Sequence, residues 1–394
     1  MLTLVWILLA CAAFALGLFS LGVWSTIRHT SAPPPAFEGE LPPLSILKPL
    51  KGTEEGLEEN LRSFFEQTYP APLEIVFSAE EDDDPGMVLA RRVAAKYPDV
   101  DVRFVLSDPH FGLNPKVSNL HGAYVAAKYD LVLQSDANVR ASQGYLERIV
   151  RELLAERAAL LSSIVVGVGE RSIGAALENL QLTALIGPSM CTALHVAGVN
   201  CVVGKSMLMR RSDVQALGGL EDVRDILCED FILGQKFQQS GRKVLLSTNI
   251  LENYNHDHTV KQFLARHSRW MKMRVVIHVG SYLADLFANP VFFGFAAMLA
   301  SGFDRRVVAA FVGIVLYKLA ADAFLVRRLR GEPMAFRLLL LGPIKDLVMA
   351  GVWFYSMFSR SVVWRGRKLR FGKESRLRHD EGNLGERLAK RLLG

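Results

Sequence analysis

Three acidic positions and an Arg-Trp pair are the side chains whose types and spacing point to chemistry. Glu80-Glu81-Asp82-Asp83-Asp84-Pro85 follows the apolar stretch Leu73 to Ser78. Five neighbouring acids repel one another, so a purely structural loop gains little from them, although Asp-Pro also suits a turn at a helix start. Ser135-Asp136-Ala137-Asn138 ends a second apolar stretch. The Asp136 carboxylate, beside an amide oxygen, could bind Mg²⁺ or Mn²⁺ on a diphosphate, or could cap a helix beginning near Gln143. Cys228-Glu229-Asp230 opens an amphipathic helical pattern, where an acid is either a cap or a general base towards a hydroxyl. Arg266-His267-Ser268-Arg269-Trp270 lies in the helical stretch Thr259 to Val276, and Arg266 and Arg269 share a face able to grip phosphates. Lys272 and Arg274 read as an interfacial basic face. His256-Asp257-His258 reads as a solvent-facing loop, and Cys201 and Cys228 as packing residues.

The elements that must position these groups alternate. Strand patterns at Leu44 to Lys48, Leu73 to Ser78, Val102 to Leu106 and Asp130 to Gln134 are interleaved with helical patterns at Gly56 to Gln67, Met87 to Tyr97 and Val117 to Lys128. That order predicts an α/β domain over residues 44–280 with a mostly parallel sheet, its ligands beyond the carboxyl ends of the strands. No Walker A loop or GxGxxG fingerprint is present, which disfavours ordinary nucleotide hydrolases and dehydrogenases.

The chain has 394 residues, half of them hydrophobic, and a mean hydropathy of +0.20 despite 22% charged residues. The apolar residues are segregated at the ends. Residues 1–27 carry no charge and are followed by Arg28 and His29, which reads as an uncleaved anchor with the following domain on the cytoplasmic side. Residues 28–43 form a Pro-rich linker. Residues 281–359 hold three candidate membrane segments, Leu283 to Gly302, Val307 to Val326 and Leu338 to Phe358, interrupted by Asp285, Lys318, Asp322, Lys345 and Asp346. Gly342-Pro343 breaks the last, which suits a non-spanning segment. The tail, residues 360–394, has eleven basic and four acidic residues, so two crossings plus one non-spanning segment would keep it on the cytoplasmic side. This tail accounts for the net charge of +6, which therefore gives no reason to expect nucleic acid. The four cysteines lack the spacing of a disulfide scaffold or a metal site.

Taken together, order and spacing resemble the ceramide glucosyltransferase family, membrane-anchored inverting enzymes with a D1, D2, D3, (Q/R)xxRW pattern. The matching stretches include Leu47-Lys48-Pro49-Leu50-Lys51-Gly52, Asp83-Asp84-Pro85, Gly112-Leu113-Asn114-Pro115-Lys116-Val117-Ser118-Asn119-Leu120, Cys201-Val202-Val203-Gly204, Glu229-Asp230, Arg266 to Trp270, and a tail motif from Trp364 to Arg370. The resemblance implies a GT-A type nucleotide-sugar-binding domain between N- and C-terminal transmembrane helices. It implies Asp84 beside the nucleoside, Asp136 reaching the diphosphate through a divalent metal, and Asp230 as the base for the acceptor hydroxyl. Arg266, Arg269 and Trp270 would close over pyrophosphate and acceptor, with Lys116, Asn119 and Glu229 as further substrate contacts. One departure is Asn138, standing where the wider superfamily often has the last Asp of a DxD.

The expected activity is transfer of a hexose, glucose foremost, from a UDP-sugar to the hydroxyl of a membrane lipid, ceramide foremost, with inversion at the cytoplasmic face. The rivals are a hopanoid or other lipid sugar transferase, a processive polysaccharide synthase, and a membrane scaffold with a degenerate transferase domain.

Overall fold

The computed structural model describes residues 2–359, 361–364 and 367–379; parts of the basic tail and of the Trp364 to Arg370 motif lie outside the described residues. Helix α1 (Leu2–Thr30) is apolar until Arg28 and His29. Beyond the prolines the α/β domain begins with β1 (Leu44–Pro49), α2 (Leu57–Phe65), β2 (Leu73–Ala79), α3 (Pro85–Ala94), β3 (Asp101–Leu106), α4 (Pro115–Ala126), β4 (Leu131–Ser135), β5 (Val139–Arg140), α5 (Tyr145–Ala155) and β6 (Leu160–Val168). Then come α6 (Ile173–Gln181), a π-helical turn, α7 (Gly187–Ala197), β7 (Ser206–Arg210), α8 (Arg211–Ala216), α9 (Glu229–Gln239), β8 (Val244–Tyr254) and α10 (Val260–Ile277). The eight strands form one sheet in the order β3-β2-β1-β4-β7-β6-β8-β5, parallel from β3 through β4 and between β6 and β8. β7 runs antiparallel between β4 and β6. Apolar clusters cover both faces, one including Leu44, Ile46, Phe64, Phe77 and Leu146, the other Leu47, Val76, Val117, Leu120 and Phe237. Strands buried on both sides read as continuous apolar runs, which is why they were legible.

Two short signals turn the chain at the strand ends. Asn114 Oδ1 accepts from the N–H of Lys116 (2.9 Å) and Val117 (3.2 Å), with Pro115 at the first helical position. Asp84 caps α3 before Pro85 in the same way. Each cap contributes about 1 kcal/mol and fixes where the first turn points.

Among the described residues, four helices are long and apolar enough to cross a membrane: 2–30, 173–197, 305–330 and 336–357. The second lies within the α/β domain expected over 44–280; it packs against β6 and, through α7, against α1. The expected segment Leu283 to Gly302 is instead a pair, α11 (Val279–Phe287) and α12 (Pro290–Ala300), bent by 56°. Asn289 makes the break: its side chain caps α12, and its amide donates to the Asp346 carbonyl at 2.8 Å. Helix α13 (Arg305–Arg330) follows, then α14 (Phe336–Leu339) and α15 (Gly342–Met357).

Packing gives directions to these helices. α1 and α13 run side by side: Val5 clusters with Val307, the rings of Phe19 and Tyr317 meet at 6.5 Å, and Arg328 donates to Thr30 at 2.9 Å. α12 runs the other way, with Phe293 on Ala12 and Ala15 and Ala297 on Val5. α14 stays beside Val326, and α15 packs along α10. Buried Lys318 bridges Asp322 (2.6 Å) and Asp346 (3.2 Å), while Lys345 pairs with Asp346 (2.9 Å), so ionisable groups on α13 and α15 answer one another.

After α15 the chain returns to the sheet domain. β9 (Ser361–Trp364), β10 (Arg367–Phe371) and β11 (Leu377–His379) form a small antiparallel sheet. It is docked on the segment before α9: Leu227 N–H donates to the Ser375 carbonyl (3.0 Å) and Leu377 N–H to the Asp225 carbonyl (2.7 Å). Leu369, Phe371 and Leu377 pack with Leu227, Met273 and Trp270.

Candidate active site

Asp136 leaves the carboxyl end of β4 into a ring of lysines. Lys116, in the first turn of α4, lies 3.0 Å from Asp136 Oδ1 and 3.2 Å from Glu229 Oε1. Lys205, immediately before β7, lies 3.8 Å from Asp136 Oδ2 and donates to Asn138 Oδ1 at 2.7 Å. Lys48, fully buried in β1, donates to Ser135 Oγ and the Asp136 carbonyl, both at 3.0 Å. Burial opposes the charge on Asp136, but Lys116 and Lys205 hold its pKa below the usual range. Burial also opposes the charge on Lys116, yet Asp136 and Glu229 keep that lysine above its usual range. Lys205 has less compensation, and burial brings its pKa down to about 8. Asp136 caps no helix; Gly144 occupies the cap of α5.

Asp230 stands on the other side of Gly204. The Gly204 N–H donates to Asp230 Oδ2 at 2.6 Å, while the Gly204 carbonyl accepts from Lys116 at 3.0 Å. A Cβ at this glycine would come within 2.8 Å of Lys116 Nζ and 2.9 Å of Asp230 Oδ2, so a side chain there would displace one or both groups. Phe231 N–H and the Cys228 thiol donate to Asp230 Oδ1 at 2.8 and 3.4 Å, which fixes the carboxylate at the N-terminus of α9. Neighbouring Glu229 is drawn to Lys116 and accepts from Asn114 Nδ2 at 3.3 Å; burial pushes its pKa up.

Asp84 is both of the things its sequence suggested. It caps α3, and it accepts the Gly52 N–H with both oxygens, at 2.8 and 3.0 Å. It thus clamps the Lys51-Gly52 loop after β1, which approaches so closely that a Cβ at Gly86 would lie 2.5 Å from the Gly52 carbonyl. Asn119 is buried below this loop and donates to the Leu50 carbonyl at 2.8 Å, so its contact is to the loop backbone.

Arg266 and His267 both turn to Glu178 on α6, at 2.9 and 3.0 Å, and Glu178 is fully buried. The pair ties α10 to α6 and leaves Arg266 only partly exposed. Arg269 is half-buried and Trp270 packs among Leu227, Cys228 and Leu369, beside the loop that leads into Asp230. Lys272 and Arg274 do not present the interfacial basic face expected of them. Lys272 donates to the Ser361 carbonyl at 3.1 Å, and Arg274 pairs with Asp285 on α11. His256 and Asp257 give their backbone N–H groups to Glu55, which clasps two loops together.

The donor set around Asp136 fits a divalent ion poorly. Both oxygens expected as ligands, Asp136 Oδ1 and Asn138 Oδ1, already face lysine amines at 3.0 and 2.7 Å. Among the described residues no group of three or more His, Cys, Asp or Glu is placed to hold a metal. Three residues sequence reasoning passed over complete the surroundings: Lys205, Glu178 and Ser375. Lys205 directly follows the Cys201 to Gly204 motif, a position that could have drawn notice; the other two carry no local signal.

The mostly parallel sheet, the acids at its strand ends and the apolar helices on both sides of it define a GT-A glycosyltransferase with membrane helices. The chain belongs to Glycosyl transferase family 21, whose model matches residues 4–377. It is 26% identical over 363 residues to Ceramide glucosyltransferase 1 of Caenorhabditis elegans, covering 89% of this chain and 76% of that one. It is 28% identical over 327 residues to the ceramide glucosyltransferase of Komagataella phaffii, covering 69% and 63%. The fold is shared with a mannosyltransferase of Pyrobaculum calidifontis solved with GDP-Man and Mn²⁺, at a TM-score of 0.51 and 17% identity over 89% of this chain and 99% of that one.

Proposed function

We propose that this chain moves a hexose from a UDP-sugar to the hydroxyl of a membrane lipid, with ceramide the favoured acceptor, by direct displacement with inversion. The observation that carries the reading is the pairing of Asp230 and Lys116 across Gly204, a carboxylate and an ammonium on opposite sides of one residue. Asp230 takes the acceptor proton, the hydroxyl oxygen bonds to the anomeric carbon, and the bond from that carbon to the phosphate oxygen breaks. Lys116 receives the charge that grows on the departing diphosphate. Glu229 is occupied by Lys116 and Asn114, so a single carboxylate is offered to the acceptor, as an inverting displacement needs. Arg266, Arg269 and Trp270 stand on α10, the helix that leads from the sheet domain to the membrane helices, and that placement suits a lipid acceptor. The ceramide assignment follows the names of the relatives.

The catalytic domain is assigned to the cytoplasmic face. Arg28 on α1 and Arg327, Arg328 and Arg330 on α13 lie at the helix ends beside that domain, against Arg305 and Arg306 at the other end. α1, the bent pair α11–α12 and α13 then cross, and α14 with α15 remains on the near side. Detergent-purified protein incubated with UDP-glucose and a panel of lipids is the test. Transfer to ceramide that is lost in Asp230→Asn is expected; transfer to hopanoid polyols alone would move the acceptor assignment, and no transfer to any lipid would overturn the reading.

A further inference from the structure

We propose that Lys205, together with Lys116, holds the diphosphate of the donor through ammonium hydrogen bonds, so that the nucleotide binds without a divalent cation. This rests on the nucleotide-sugar reading above. It departs from the Mn²⁺-bound mannosyltransferase that shares the fold.

A cation on Asp136 would meet Lys116 Nζ 3.0 Å from Oδ1 and Lys205 Nζ 3.8 Å from Oδ2, and would take its second ligand from Asn138, whose Oδ1 receives Lys205 Nζ at 2.7 Å. Neither amine can rotate away cheaply. Lys116 is also bonded to the Gly204 carbonyl and Glu229, and Lys205 is 7% exposed. Lys48 lies on the far side of Asp136, against the Phe64 ring at 3.4 Å, so it adds positive charge without reaching the open side. Three lysine amines thus face three carboxylates, Asp136, Glu229 and Asp230, with Arg266 and Glu54 the next charges outward, one of each sign. A divalent ion would have to displace Lys116 and Lys205 from the oxygens they hold. A diphosphate ester instead accepts hydrogen bonds from amines already gathered and partly desolvated. When the sugar leaves, the bond between the anomeric carbon and the β-phosphate oxygen breaks, its electron pair stays on that oxygen, and the added negative charge falls on the same two amines. The acceptor proton goes to Asp230, so charge and atoms balance with no further reactant.

The test is UDP binding to the purified full chain in detergent, measured by titration calorimetry with EDTA and with Mn²⁺, alongside Mn²⁺ binding followed by its spin-resonance signal. Dissociation constants that agree within about twofold in EDTA and Mn²⁺, and no Mn²⁺ bound by the free protein, are expected. Lys205→Met, which keeps the stem and loses the charge, weakens UDP by about tenfold or more with an unchanged melting temperature, and Lys205→Arg restores much of it. UDP binding that requires Mn²⁺, or an unaltered affinity in Lys205→Met, overturns the proposal while leaving the transferase reading intact. No UDP binding under either condition overturns both.

Discussion

Ser375 Oγ accepts the backbone N–H of Cys228 at 3.2 Å, across 147 residues of chain and two full membrane crossings in the topology assigned above. The wall of the candidate site beside Asp230 is therefore built partly by the segment that follows the last apolar helix. Glu374 and Ser375 hold this contact with φ of 56° and 54°, a left-handed conformation that costs about 1 kcal/mol or more for a residue with a side chain. Ser375→Pro cannot adopt that φ and is expected to lower transfer by about tenfold or more, whereas Ser375→Gly keeps the carbonyl contact and most activity. Equal activity of the two variants would mean that the docked strands do not shape the site.

The two sides of Gly204 give a second prediction. In Gly204→Ala the new Cβ would press on Lys116 and Asp230 together. Contacts of 2.8 and 2.9 Å force these groups to shift, and since a 1 Å misplacement of reacting groups costs about 100-fold in rate, activity should fall by about tenfold or more while the melting temperature moves little. A variant with normal kcat would refute the tight spacing.

Asp230 and Asp136 should separate kinetically. Asp230→Asn is expected to reduce kcat by about 100-fold or more with donor affinity retained, because it removes a proton acceptor. Asp136→Asn should act chiefly on donor binding, because it unsettles Lys116 and Lys205, which it now faces at 3.0 and 3.8 Å. Similar KM and kcat effects in both variants would contradict that division.

Arg330, at the end of α13, is paired with Glu170 at 3.1 and 3.2 Å, and both side chains are nearly buried. Glu170→Gln leaves the guanidinium with only the exposed Glu332, 3.5 Å away, as a countercharge, and loss of a buried partner costs up to about 3 kcal/mol. Melting in detergent should shift down accordingly, with UDP affinity unchanged at low temperature. A shift no larger than that of a surface substitution would count against the junction between membrane helix and sheet.

What the sequence determined by itself is local. Apolar-rich runs announced β1, β2 and β4; Asp84-Pro85 announced where α3 starts; a charge-free stretch announced α1, and an apolar stretch broken only by Lys318 and Asp322 announced most of α13. Each of these signals lies within a few residues of the element it specifies, because propensity, capping and burial on both faces act over one or two turns. Tertiary structure alone decided the pairings. Lys205 meets Asn138 across 67 positions, His267 meets Glu178 across 89, and Ser375 meets Cys228 across 147. No periodicity encodes such meetings, since they depend on strand order, on the reversal of β7 between β4 and β6, and on the bend at Asn289. Asp136 is the clearest case. Its position at a strand end was legible, but whether an ion or lysines would face it was settled only when β1, α4 and β7 came together.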